Sequence, residues 1–581
     1  MASQENVQAT MSTKLVTATT TLQPSFEQFS SILADKFVGY LDYLNNIPGG
    51  TIVLRYIKSS YKNDPVRSLF ELCLFILACN YFLSSKKKEN RSDILDFSEK
   101  EIDELCRQWE PAPLVEKLGP QKSWDLRCTP EIKGHNGAMV QVTTPHIGER
   151  VKAVNLASSD FLNLNESEAV SSAAKSCIST CGVGSCGPPN FYGTQDVHVR
   201  LEEDLSEYLD TEQAILYGQD FTTAGSVIAA FLKRGDLCVV DSGISLALQK
   251  ALVVSRCDLE WYDHNDMDHL DRILSELSPI LDKQKPIRRR FIVTEALFSN
   301  YGDIADLPKI VELKNKYKYR LFLDETLSIG VLGDTGKGLP EYYGVPRSEI
   351  AITIGSFALS FAASGGFCVG VTPMIHHQRI SSLAYVFSAS LAPFSAKSAS
   401  SAIKEITTKT NSQGKSVLIS SLHEKTSYLY NQLKKTLTNR FFSIVSSPES
   451  PIIHLSLDKE YRKRLNLPIF YGNTEFLLNG KPARKSNGFS QRYNLESYIL
   501  QKVIDEVLIR ENILLTRSKN ALDHENLPVA NPHLLIMVNV AVSFEALDKL
   551  VKTLEDISHE MSHKIRNQED LQILEQELLT Y

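Results

Sequence analysis

The sequence predicts an α/β protein: a mostly parallel central sheet, a smaller C-terminal α+β domain, and N-terminal membrane-associated helices. Three observations carry this expectation. Between residues 151 and 393, short apolar runs alternate with helical stretches, and each run stops at a turn or a polar residue. Leu237–Val240, Phe291–Thr294, Arg320–Leu323 and Ile352–Gly355 are such runs. Strands that alternate with helices form parallel sheets covered on both faces. A chain of 581 residues, 43% apolar and 23% charged, is long enough for more than one buried core and globular in composition. Ahead of this pattern lies an apolar run close to the length of a membrane span.

In chain order, residues 1–92 read as a Thr/Ser-rich leader, an amphipathic helix and an anchor. The helix is expected over Phe26–Leu44, where Phe29, Ile32, Leu33, Phe37, Val38 and Leu41 recur at helical spacing before Pro48-Gly49-Gly50. The anchor is expected over Ser68–Leu83, interrupted only by Glu71 and Asn80 and followed by Lys86, Lys87, Lys88 and Arg91. Basic residues also precede it, so charge does not by itself orient it; the alternative is a buried core helix. The basic cluster after the run favours a cytosolic side C-terminal to it. Residues 93–150 connect to the α/β domain at 151–393. Residues 394–581 form the second domain, in which about 461–493 reads as a solvated insertion.

A net charge of −7 gives no reason to expect nucleic acid. The ten cysteines show no Cys-x-x-Cys pair and no matching histidine spacing, so neither a metal site nor a disulfide framework is expected. Free thiols suit a body that faces the cytosol.

The chemistry-bearing residues lie where apolar runs end, as they do on open α/β sheets. The stretch from Ile352 through Gly355, Ser356, Phe357, Leu359 and Ser360 to Gly365-Gly366 resembles the cofactor-lysine segment of the α-oxoamine synthases, with Leu359 at the lysine position. These are pyridoxal-phosphate enzymes of fold type I, aspartate-aminotransferase-like, that condense an amino acid with an acyl-CoA. Leucine has no amine to form a Schiff base.

The resemblance implies further losses. Asp324, in Asp324-Glu325-Thr326-Leu327-Ser328, matches the acid that pairs with the ring nitrogen, but Leu327 stands at the motif's histidine. Ser245 stands at the stacking histidine, and Leu535 at the carboxylate-binding arginine. Asp324, Ser328 and Ser356 are thus a vestigial cofactor site. Lys337, in a glycine-rich loop, is the one lysine that invites a substitute role, and a surface charge is its plainer reading.

The frame itself is kept. Gly182, Gly184, Gly187, Gly193, Thr194, His198 and Leu201-Glu202 fall at the family's spacing. Trp109-Glu110-Pro111, Asn46-Ile47-Pro48-Gly49-Gly50 and Gly182–Gly193 narrow the resemblance to the lysine-less first-subunit branch of eukaryotic serine palmitoyltransferases.

That resemblance implies a non-catalytic but required subunit, paired with a lysine-bearing second subunit that holds pyridoxal phosphate covalently, with small regulatory membrane subunits as further partners. L-Serine and palmitoyl-CoA would meet at a shared interface site on the endoplasmic-reticulum membrane. The implied shared-site residues are Gly184, Cys186, Gly187, Asn190, Tyr192, Ser388 and Ser390. For Cys186 a small buried gap-filler is the competing reading. Two other readings stand beside this one: an independent acyltransferase using another lysine, and a lipid-sensing pseudoenzyme.

Overall fold

The computed structural model describes residues 43, 46–89, 97–111, 114, 119–145, 148–437, 441–474 and 490–581. The chain divides into two units, Met1–Glu116 and Lys117–Tyr581.

In the first unit, helices Gly50–Asn63 and Pro65–Glu89 are joined at Asp64. The second contains the expected apolar run. Pro65–Leu83 is 19 residues long, with a mean hydropathy of 1.6 and none of it buried. It is long and apolar enough to cross a membrane. The amphipathic helix expected over Phe26–Leu44 lies outside the described residues, apart from Tyr43. Helix Glu99–Gln108 starts at a capping box, in which Ser98 and Glu101 satisfy each other's free backbone N–H groups.

The second unit is built on a seven-stranded sheet. Its strands are β1 (Gln213–Tyr217), β2 (Leu237–Asp241), β3 (Asp258–Tyr262), β4 (Arg290–Glu295), β5 (Arg320–Asp324), β6 (Ile352–Ser356) and β7 (Gly366–Gly370). Their spatial order is β1-β7-β6-β5-β4-β2-β3. Strands β6, β5, β4, β2 and β3 pair in parallel, and β7 runs antiparallel to both β1 and β6. Every residue of β2 and β6 is buried, as expected of parallel strands covered on both faces. All four runs read from the sequence are strands of this sheet.

A second sheet joins Glu131–Lys133, Met139–Thr143 and Val151–Asn155 to Ile513–Leu514, which pairs in parallel with the last of these. A third sheet orders Phe442–Ile444, Ile452–Leu457, His533–Met537 and Thr516–Arg517. The region expected as a solvated insertion at 461–493 is anchored at both ends. Arg462 ion-pairs with Glu496 at 2.7 Å, the Tyr471 hydroxyl donates to the same carboxylate at 2.6 Å, and Tyr461, Tyr471 and Tyr493 are buried. The reason is charge: once Glu496 is buried it needs these donors. Residues 475–489 lie outside the described residues.

Behind the Asp324-Glu325 turn lies a second buried pair. The Arg347 guanidinium meets Glu325, which is fully buried and also accepts from the Leu339 N–H at 2.8 Å and the Ser328 hydroxyl at 3.2 Å.

Candidate functional site

The carboxyl ends of β2, β4, β5 and β6 surround a cavity of about 180 Å³. Asp220, Ser245, Glu295, Asp324, Leu327 and Gly355 line it, among others. The sheet accounts for this convergence, since parallel strands place the residues after them at one edge. Asp324 closes β5, Glu295 closes β4, and Ser245 begins the helix Leu246–Ser255 after β2. The structure therefore brings together three sites read from the sequence: Asp324, Ser245 and Leu327.

Ser356 sits beside this group, its hydroxyl donating to Asp220 at 2.9 Å and accepting from the Ala358 N–H at 3.0 Å. Ser328 is fully buried against Glu325. Leu359 lies half-buried in the turn after β6, outside the cavity lining. Leu535 is on the strand His533–Met537, opposite His454, and does not line the cavity. Lys337 ion-pairs with Asp210 and is not in the lining either.

Sequence reasoning missed Asp220 and Glu295. Both follow apolar runs, where a carboxylate looks like ordinary turn chemistry. Glu295 accepts from the Ser245 N–H at 2.6 Å and the Ser299 N–H at 3.0 Å. Burial and the neighbouring Asp324 charge push its carboxyl up, against the hydrogen bonds. Burial also raises Asp324, opposed by the Thr326 N–H at 2.8 Å. The lining has carboxylates and no Lys, Arg or His. Asp324 suits a pyridine nitrogen. An aldehyde cofactor with a dianionic phosphate also needs an amine and cationic or clustered N–H donors. The first turn of helix Asp220–Phe231 borders the cavity and offers clustered N–H groups, but the lining holds no lysine, so it does not fit a covalently held pyridoxal phosphate.

The loop carrying Ser245 is pinned from behind. His264 Nδ1 lies 2.8 Å from Asp241, its Nε2 3.0 Å from Asp303, and its ring stacks on Tyr301 with centroids 4.2 Å apart. Burial alone would lower the His264 pKa, but hydrogen bonds to Asp241 and Asp303 outweigh it and raise it to about 10. A folded pKa above the unfolded value of about 6.5 stabilises fully below that value and is lost as pH rises toward about 10. His264→Gln should therefore destabilise the chain at pH 6 and have progressively less effect as pH approaches 10. Thermal unfolding across this range would show it; an equal loss at both ends would refute the linkage.

The other implied site residues form a second constellation. The Ser390 N–H donates to Gly187 O at 2.9 Å and the Ser185 hydroxyl donates to Ser390 O at 3.0 Å. The Asn190 side chain donates to Arg379 O. The first two bonds join the Gly184–Gly193 loop to the Ser388–Ser390 segment, and the third ties the loop to helix Thr372–Ser381. The fit needs glycine: a Cβ on Gly193 would lie 1.9 Å from Gly187 O, and one on Gly187 would lie 2.2 Å from the Tyr192 ring. Phe191, Tyr192 and Phe387 stay 67%, 72% and 71% exposed. Gly184 and Ser388 are exposed too. Cys186 is exposed in this chain, at φ 59°.

The family model described as aminotransferase class I and II matches residues 151–468. Serine palmitoyltransferase 1 of Saccharomyces cerevisiae is 40% identical over 522 residues, covering 87% of this chain and 91% of the relative. Serine palmitoyltransferase 1 of Dictyostelium discoideum is 34% identical, covering 88% and 97%. Long chain base biosynthesis protein 1 of Arabidopsis thaliana is 34% identical, covering 80% and 86%. Among solved structures, serine palmitoyltransferase from S. paucimobilis with a bound PLP–myriocin aldimine superposes with a TM-score of 0.61 at 17% identity, covering 81% of this chain and 100% of the other. Sphingomonas wittichii serine palmitoyltransferase gives 0.58 at 18% identity, covering 80% and 96%. At that identity the superpositions establish the fold alone, that of pyridoxal-dependent enzymes.

Proposed function

Since this chain belongs to the serine palmitoyltransferase 1 family, we propose that it is a non-catalytic but required subunit of a serine palmitoyltransferase. The reaction condenses L-serine with palmitoyl-CoA to give 3-ketosphinganine, CoA and CO₂. A lysine-bearing second subunit binds pyridoxal phosphate covalently, and that cofactor supplies the electron sink. This chain supplies a wall of the shared site. The single observation that carries the reading is the bonded unit of the Gly184–Gly193 loop and Ser388–Ser390 with its aromatics unburied, in a chain whose own cavity lining holds no lysine for the cofactor. The complex works at the endoplasmic-reticulum membrane, with this chain's body in the cytosol and small regulatory membrane subunits as further partners.

The test is co-expression with a lysine-bearing paralogue, followed by an assay of serine-dependent CoA release. Either chain alone should be inactive and the pair active; full activity of the paralogue alone would overturn the proposal.

Restoring the amine should not restore an enzyme. Leu359→Lys, purified without a partner, is expected to show no serine-dependent condensation, because Ser245, Leu327 and the acidic lining remain. Turnover by this single variant would refute the reading.

The expected anchor Ser68–Leu83 falls within the apolar helix segment Pro65–Leu83, which is long enough to cross a membrane. A chain beginning at Arg91, expressed without its partner, should lose most of its membrane association. Retention in the pellet after carbonate extraction would place the anchor elsewhere.

A further inference from the structure

The carboxyl edge of the central sheet is acidic, and the opposite edge is strongly basic. At the amino-terminal ends of β4 and β5, a cleft of about 480 Å³ is walled by Arg288, Arg289, Arg290, Lys318, Arg320 and Asp282. Five cations face one carboxylate. In a chain whose net charge is −7, such a cluster is a local feature and not a background excess.

Part of this charge is already neutralised. Arg288 pairs with Asp258 at 3.0 Å. Arg290 directs both terminal nitrogens at one oxygen of Asp282, at 3.1 Å. Arg289 donates to Phe231 O and reaches Asp236 only at 4.0 Å. Lys318 and Arg320 are exposed and have no ion-pair partner among the described residues. The fold holds these two beside the others. Lys318 ends the helix Leu307–Tyr317 in the left-handed region at φ 61°. Arg320 pairs across the sheet with Phe291, next to Arg290.

We propose that this cleft binds a small phosphate-bearing anion, either a soluble polyphosphate or the phosphorylated headgroup of a lipid. A guanidinium fork matches two phosphate oxygens, and an ammonium adds a point charge. A bound phosphate would offset the charge of Lys318 and Arg320, which Asp258, Asp282 and Asp236 leave uncompensated. The cleft is the size of a small-molecule site and too small to enclose a nucleic-acid duplex. It lies at the opposite end of the strands from the acidic cavity, so the inference does not rest on the function proposed above.

The test uses the purified full chain in detergent micelles, titrated calorimetrically with inorganic pyrophosphate at physiological ionic strength. In parallel, the chain in nanodiscs of phosphatidylcholine, with or without a phosphoinositide, is assayed for protection of the cleft peptides from hydrogen exchange. Saturable pyrophosphate binding is expected, weakened about tenfold or more in the double variant Lys318→Gln/Arg320→Gln. The remote double variant Lys434→Gln/Lys435→Gln should bind normally. Protection by the phosphoinositide without pyrophosphate binding, also lost in the cleft variant, would support the site and assign the lipid source. The proposal is overturned if neither probe acts, if the cleft variant responds as the unaltered chain does, or if phosphate-free polyglutamate competes equally well.

Discussion

Cys186→Trp is expected to leave the chain folded and bound to its partner while lowering the complex's rate with serine by on the order of a hundredfold, or changing its choice of amino acid. The side chain is exposed, and its backbone already sits in the left-handed region without being glycine. An indole there meets no core, so the 1–3 kcal/mol penalty typical of overpacking (roughly) does not arise. It instead stands between Gly184 and Gly187, on the loop bonded to Ser390. Misplacing groups by about 1 Å in an active site can cost about a hundredfold in rate. Thermal unfolding and co-purification would establish the intact assembly, and CoA release with serine and with alanine would report the site. Normal kinetics from an assembled complex would remove this loop from the shared site.

The largest stability effect should come from Arg347→Ala. Its guanidinium covers the carboxylate of Glu325, which has no solvent exposure. Removing one partner of a buried pair leaves an uncompensated charge, at a cost of about 3–5 kcal/mol. A double variant, Glu325→Gln/Arg347→Met, should recover much of the loss, since it leaves no buried charge. Urea unfolding of the purified chains would measure both. A loss below about 1 kcal/mol for the single variant, the range of exposed pairs, would show that Glu325 finds another partner or water.

The two predictions mirror what the sequence did and did not disclose. The sheet was legible because buried parallel strands are written as unbroken apolar runs, so Leu237–Asp241 and Ile352–Ser356 stood out with nearly their observed limits. Asp324, Ser245 and Leu327 came from the family resemblance, and the rule that strand ends converge accounts for their meeting at one edge. Glu295 and Asp220 were not found, because only the folded chain shows that they line one cavity. The bond between Gly187 and Ser390 was equally hidden: the two residues belong to separate motifs, and no periodicity links them. The 461–493 region was misread at its ends because Arg and Tyr there look solvated until Glu496, on a later helix, is seen to need them.

The parallel pairing of Val151–Asn155 with Ile513–Leu514 has a consequence for how the protein is made. One edge of the second sheet stays open until almost the whole chain has left the ribosome. At about 5–20 residues per second, that is a wait of on the order of tens of seconds. The apolar segment Pro65–Leu83, long enough to cross a membrane, emerges long before, while the body is still unfinished. A strand left unpaired for that time is a template for wrong partners, and the newly made body should depend on chaperones until its last quarter arrives.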